Sequence, residues 1–234
     1  MVQISRTVFT LIILLIGAGS CFAAESDLPA ASIVADKVKK VYSDKCCFKA
    51  QFDQVTVNVS MDIRDRFRGT IYVKKPGRIA LDVTWPEKQN LVIKGKSYVV
   101  YFPEDGSGAR GEVPPEMNVE HFFGFFANIG DMDRNFSVAY PDTVGTGSKD
   151  LIMLQLTDKK NPQSTYRLML GIDKEKYTIK RAIVYDALGN YNRFDLTDVS
   201  FLDAIPKERF EIDYASPQRT NPTEEPLPKP SESR

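Results

Sequence analysis

Apolar residues recur along this chain with two periods. Ile33, Val34, Val38, Val41 and Tyr42 fall at helical spacing behind Pro29, and Asp36, Lys37, Lys39 and Lys40 occupy the other side. This predicts an amphipathic helix of about three turns. From Phe48 onward the period is two. Phe48, Ala50 and Phe52 share one parity and Val55, Val57 and Val59 the other, which predicts a bulge or bend near Asp53 and Gln54. Phe67, Gly69, Ile71 and Val73 then alternate with Arg68, Thr70, Tyr72 and Lys74. After Pro76-Gly77, Ile79, Leu81, Val83 and Trp85 alternate with Arg78, Ala80, Asp82 and Thr84. Leu91 and Ile93 repeat the pattern, and beyond Gly95-Lys96 the stretch Tyr98 to Phe102 is apolar throughout. Such runs, separated by glycine turns, describe an antiparallel meander.

The middle of the chain interrupts it. Residues 104–117 are rich in Gly, Pro and charge and read as a loop, and Asn118 is placed to cap a short helix bearing Val119, Phe122, Phe123, Phe126 and Ile129 on one side. Strands are expected again at 136–140, 151–157, 166–172, 178–186, 193–201 and 209–214. Ala187 to Asn190 reads as a hairpin turn and Ile205 to Glu208 as the turn before the last strand. The total is about eleven strands and two short helices. Either the strands close into a barrel filled by their own side chains, or they form an incomplete antiparallel β-barrel whose helices cover a hydrophobic cavity. A strand that lines a core and one that lines a pocket have the same period.

Both ends differ in composition. Arg6 and the apolar run Val8 to Ile16, too short for a bilayer, precede Cys21-Phe22-Ala23, so residues 1–23 read as a cleaved export signal. Ala18-Gly19-Ser20-Cys21 offers a rival reading as a weak lipoprotein-processing box that would lipidate Cys21. The folded domain is expected over 24–215. The last nineteen residues hold five of the fourteen prolines and only Leu227 as a large apolar side chain, so 216–234 reads as a flexible tail.

Charge and chemistry narrow the function. Without residues 1–23 the chain keeps 30 basic and 31 acidic residues, which argues against nucleic acid as a partner. Export leaves Cys46 and Cys47, two adjacent cysteines. They read either as two small apolar residues opening a strand, or as a strained disulfide between neighbours or a contact with another thiol. His121, inside the aromatic helix, is the one histidine, and no nucleophile, phosphate-loop or metal motif surrounds it. A non-enzymatic, monomeric binding protein with no cofactor and no metal is expected.

Four segments also resemble a known family. They are "VKKVYSDKCCFKAQFDQ", "GTIYVKKPGRIALDVTWPEKQNLVIKGKSYVVYFP", "YDALGNYNRFDL" and "IPKERFEIDYASPQ", which together span about 28–217. In this order and spacing they are similar to the LolA family of periplasmic outer-membrane lipoprotein carriers. The resemblance implies an incomplete barrel lidded by helices, whose cavity holds the acyl chains of lipidated proteins. Cargo would come from an inner-membrane ABC-type lipoprotein-releasing complex and pass to an outer-membrane acceptor lipoprotein. It implies cavity positions at Phe52, Ile79, Leu81, Val83 and Leu91, with Val34, Val38 and Val41 of the first helix and Phe122, Phe123 and Phe126 of the aromatic one. The same apolar residues would equally serve as permanent core. The family's Arg-Pro motif falls on Lys75-Pro76, making Lys75 the lid latch; lysine lacks the planar fork of arginine, so closure here is expected to be looser. A LolA-like binder of another lipid or glycolipid, or a lipoprotein-sensing interaction domain, would carry the same pattern.

Overall fold

The computed structural model describes residues 28–112, 132–142, 150–160, 162–163 and 166–212. The stretches read from the sequence as an export signal, as a helix bearing Phe122, Phe123, Phe126 and His121, and as a flexible tail lie outside the described residues.

Helix α1 (Ala31–Ser43) occupies the region of helical spacing, with Val34, Ala35, Val38 and Tyr42 buried. Six strands follow: β1 (Cys47–Asn58), β2 (Ile63–Lys74), β3 (Arg78–Trp85), β4 (Gln89–Lys94), β5 (Ser97–Phe102) and β6 (Ser107–Glu112). A one-turn helix α2 (Met132–Asn135) leads into β7 (Phe136–Ala139), β8 (Leu151–Asp158), β9 (Arg167–Asp173), β10 (Ile179–Tyr185) and β11 (Tyr191–Leu202). All pairings are antiparallel, and the strands form one open sheet in the order β6-β5-β4-β3-β2-β1-β11-β10-β9-β8-β7. The architecture is mainly β: an incomplete barrel whose edges are β6 and β7, and not a closed one. Turn chemistry follows the sequence. Gly77 and Gly95, both at positive φ, end neighbouring hairpins and are joined by a Gly95 N–H donated to the Gly77 carbonyl at 2.9 Å.

Three expectations need correction. The region read as a glycine-rich loop contains β6. Its Gly111 is a packing residue, because a Cβ there would lie 3.2 Å from the Tyr98 ring, so the aromatic side chain lies against bare backbone. The expected strand 209–214 is, as far as Ile212, a 3-10 turn at Lys207–Phe210 followed by irregular chain. Ile205 and Phe210 there pack on Cys47, Ala80 and Val92 and bury a small second cluster on the sheet face opposite α1. The count of eleven strands therefore holds among the described residues with one member exchanged.

The bend expected near Asp53 and Gln54 is absent. β1 pairs with β2 without interruption from Cys47 to Asn58, so nothing is inserted at Asp53 and Gln54. Val55 lies on the outer face, opposite Arg66 and Arg193, one row from Asp53. There Arg66 and Arg68 pair with Asp53 while Arg181 and Arg193 pair with Asp195, and the arginine stems around Val55 account for its burial. Arg66 holds the Asp53 carboxyl below its ordinary pKa through their hydrogen bonds. The irregularity sits across the ladder in β11, where Asp198 has φ 51° and the partners step from Ser200 to Thr197 as β1 steps from Lys49 to Gln51. A second shift leaves Thr84 unpaired between Arg68–Trp85 and Gly69–Val83. It turns Trp85 out of the face shared by Ile79, Leu81 and Val83 and places it under the Arg68 guanidinium at 5.4 Å. A third shift lies in β10 between Ile179 and Arg181, and irregularities of this kind add to the curl of the sheet.

Candidate functional site

The inner face of the curl is apolar from end to end. Phe48 and Phe52 of β1, Ile71 and Val73 of β2, and Ile79, Leu81 and Val83 of β3 meet Leu154 and Leu156 of β8, Leu168 and Leu170 of β9, and Phe194 and Leu196 of β11 in one cluster. α1 lies over this cluster with Val34 and Val38 fully buried in it. Of the cavity residues named from the resemblance, Phe52, Ile79, Leu81, Val83, Val34 and Val38 come together here. Leu91 and Val41 are half-buried against the same cluster, and Phe122, Phe123 and Phe126 lie outside the described residues. The contribution of β8 to β11 was not singled out from sequence, although its alternation was visible. Leu91, Phe67 and Tyr98 mark where the inner lining remains partly open.

Besides its buried apolar face, α1 is held by polar groups. Lys75, in the turn between β2 and β3, donates its Nζ to the carbonyls of Tyr42 at 2.8 Å and Ser43 at 2.9 Å. These belong to the last turn of α1, where carbonyls lack partners within the helix and a cation complements the helix dipole. The Lys75 backbone N–H is donated to the Cys46 carbonyl at 2.9 Å, so one residue grips both sides of the joint between α1 and β1. Lys37 donates to the Tyr177 hydroxyl at 2.8 Å, Lys39 pairs with Asp133 of α2 at 2.6 Å, and the Tyr140 hydroxyl donates to the Pro29 carbonyl. Lys39 holds the Asp133 carboxyl below its ordinary pKa. Cys46 and Cys47 are joined by a disulfide.

Tyr42 is the buried element of the fastening. Its ring makes edge contacts with Phe48 and Phe201, and its hydroxyl accepts the Ile179 N–H at 3.1 Å. Burial pushes its pKa up to about 12. Tyr42→Phe leaves the Ile179 N–H without a partner and is expected to cost about 2 kcal/mol in urea unfolding at pH 8. A raised pKa adds stability that is complete below the unfolded value near 10 and is lost as pH rises toward 12. The loss amounts to about 3 kcal/mol, so the gap between wild type and Tyr42→Phe should close over that range. A gap independent of pH would show that the hydroxyl is not buried as described.

Among the described residues no group of three or more His, Cys, Asp or Glu is placed to hold a metal. On the outer face the C-terminal segment roofs a cleft of about 490 Å³ lined by Tyr72, Asp82, Asn90, Arg209 and Ile212. Asp82 accepts from Asn90 at 3.0 Å and from Arg209 at 2.7 Å, so these groups satisfy one another. No helix among the described residues is long and apolar enough to cross a membrane. What the inner site offers chemically is an apolar surface beneath a helix whose last turn is also held by polar bonds.

The family model described as outer membrane lipoprotein carrier protein LolA matches residues 45–213. Outer-membrane lipoprotein carrier proteins from Coxiella burnetii strains are 18% identical over 131 residues, 56% of this chain. The chain spans 62% of the length of those relatives. Among solved structures, a LolA superfamily protein from Nitrosomonas europaea aligns at TM-score 0.44 and 14% identity, covering 80% of this chain and all of that one. MucB in complex with MucA aligns at 0.40 and 12%, covering 78% of this chain and 60% of that one.

Proposed function

The chain belongs to the LolA family, and from that membership and the site's geometry we propose that it is a periplasmic carrier for the acyl chains of lipidated proteins. On this reading α1 is a lid. Lifting it exposes Phe52, Ile79, Leu81 and Val83 beneath Val34, Val38 and Val41, with half-buried Leu91 at the opening. The cargo is received from an inner-membrane ABC-type releasing complex and handed to an outer-membrane acceptor lipoprotein. The observation that carries the reading is the seating of an amphipathic helix on a continuous apolar face through Lys75 and the carbonyls of Tyr42 and Ser43.

Magnitudes support a lid. At about 0.8 kcal/mol per buried CH₂, an acyl chain of ~15 methylenes gains ~12 kcal/mol on leaving water. Release into water is therefore too slow to be useful, and a lid whose movement weakens the carrier makes transfer to an acceptor feasible. Native mass spectrometry of the protein purified from the periplasm of its own host tests the cargo. A co-purifying lipidated polypeptide supports the carrier; a free lipid or glycolipid would shift the reading to another ligand of the same site. Leu91→Glu places a carboxylate at the half-buried edge of the lining. It should weaken binding of a fluorescent 16-carbon fatty acid by about 10-fold or more while the melting temperature stays near wild type. Undiminished binding by a folded Leu91→Glu protein would argue against the inner face as the site.

A further inference from the structure

We propose that Cys46 and Cys47 form a thiol–disulfide exchange site for dithiol and disulfide partners, and that its state sets how firmly α1 is held. The two sulfurs are bonded to each other, yet they lie in unlike surroundings. Cys46 is exposed, with its Sγ 3.1 Å from the Asp203 carbonyl oxygen and 3.5 Å from that of Leu202 at the end of β11. Cys47 is 2% exposed and packs with Ala80, Val92, Ile205 and Phe210 in the outer cluster. An incoming thiolate can therefore reach Cys46 and not Cys47. Exposed disulfides are the exchangeable ones, and which sulfur is accessible decides the course of the reaction.

The electron balance is that of simple exchange. One thiolate of a dithiol attacks Cys46 Sγ and forms a mixed disulfide; the bonding pair leaves on Cys47 Sγ, which takes up a proton. The partner's second thiolate then displaces Cys46 Sγ, closing the partner's own disulfide, and Cys46 takes up the second proton. Two electrons pass from the dithiol to the pair, and a disulfide oxidant reverses the sequence.

Location gives the exchange a mechanical consequence, which rests on the lid reading. The bridge spans the first strand residue and the one before it, two residues beyond the Ser43 end of α1 and Asp44. The Cys46 carbonyl accepts the Lys75 N–H while Lys75 Nζ holds Tyr42 and Ser43, so the bridge fixes the backbone on one side of the grip. Closing a ring through both residues removes torsional freedom from the joint. Reduction returns that freedom and lets the Cys46 carbonyl turn away from Lys75, which loosens α1.

Three readouts on the full chain test this. Purified under acid quench without reductant, the tryptic peptide 46–49 should be lighter by two hydrogens than after dithiothreitol. In reduced, folded protein, iodoacetamide should label Cys46 at least ~10-fold faster than Cys47. Backbone amides of 31–43 should exchange with deuterium several-fold faster in the reduced protein and in the Cys46→Ala/Cys47→Ala double variant than in the bridged form. A peptide that is reduced as isolated, or equal labelling of the two thiols, overturns the exchange site. Exchange of 31–43 that is identical in both redox states overturns the coupling to α1. No readout uses an acyl ligand, so a protein that failed to bind fatty acid yet passed these tests would refute the carrier reading and leave the exchange site standing.

Discussion

Lys75→Ala is expected to release a bound fluorescent fatty acid about 30-fold faster than wild type. The residue supplies two hydrogen bonds from an ammonium group to the final carbonyls of α1. Bonds to charged groups contribute about 1.5–3 kcal/mol each when shielded from water. Lys75 is half-buried, so about 2 kcal/mol for the pair is reasonable, and 1.4 kcal/mol corresponds to tenfold in rate if the lid must open before release. Two companions separate a latch from mere packing. Lys75→Met keeps the stem and should behave like alanine, whereas Lys75→Arg restores donors in a planar fork and should release more slowly than Lys75→Met. Stopped-flow transfer to acceptor vesicles gives the rate, and deuterium exchange over 31–43 reports α1 without a ligand. Release from Lys75→Ala at the wild-type rate would mean that α1 is held by its apolar face alone, and the latch would have to be abandoned.

Much of this arrangement was legible in the sequence, and the exceptions share a physical cause. The helical spacing of Val34, Val38 and Tyr42 and the strict alternation from Phe67 to Val83 report directly which side chains leave water, and the structure places them accordingly. Periodicity could not reveal which partner buries an apolar residue. Val55 changes parity because arginine stems cover it on the outer face, not because the strand is kinked. The irregularity on this ladder lies in β11, where Phe194 and Leu196 share one parity and Val199 and Phe201 the other, a parity change of the same kind. Gly111 read as loop chemistry because composition cannot see the Tyr98 ring that rests on it. The turn at Ile205 to Glu208 was legible, but 209–214 read as a strand because its apolar residues are too few to fix a period; burial of Ile205 and Phe210 on Cys47, Ala80 and Val92 holds the chain in a 3-10 turn as far as Phe210. Lys75 was identified by resemblance, since no periodic pattern distinguishes a lysine that reaches a helix end from one that faces solvent.

The substitution expected to damage the molecule most removes no contact at all. Gly69→Ala should lower stability by about 3 kcal/mol or more, a drop of about 6–12 °C in Tm for a domain of this size. A Cβ at Gly69 would stand 2.0 Å from the Asp82 carbonyl oxygen and 2.9 Å from both the Asp82 carbonyl carbon and Val83 Cα. All three obstacles are backbone, so no rotamer change relieves the clash; β2 and β3 must separate. They would do so where the ladder steps from Arg68–Trp85 to Gly69–Val83, the shift that turns Trp85 outward and points Leu81 and Val83 at α1. Gly111→Ala is the control, because its Cβ would meet at 3.2 Å the ring of Tyr98, a side chain that can yield, and a loss of about 1 kcal/mol or less is expected. If Gly69→Ala melted as late as Gly111→Ala, β2 and β3 could not approach as closely as described. The curl that brings Leu81 and Val83 under α1 would then need another origin. If it melts early but binds fatty acid at low temperature with wild-type affinity, the irregularity serves stability, and the inner face is shaped chiefly by the other shifts, at Asp198 and between Ile179 and Arg181.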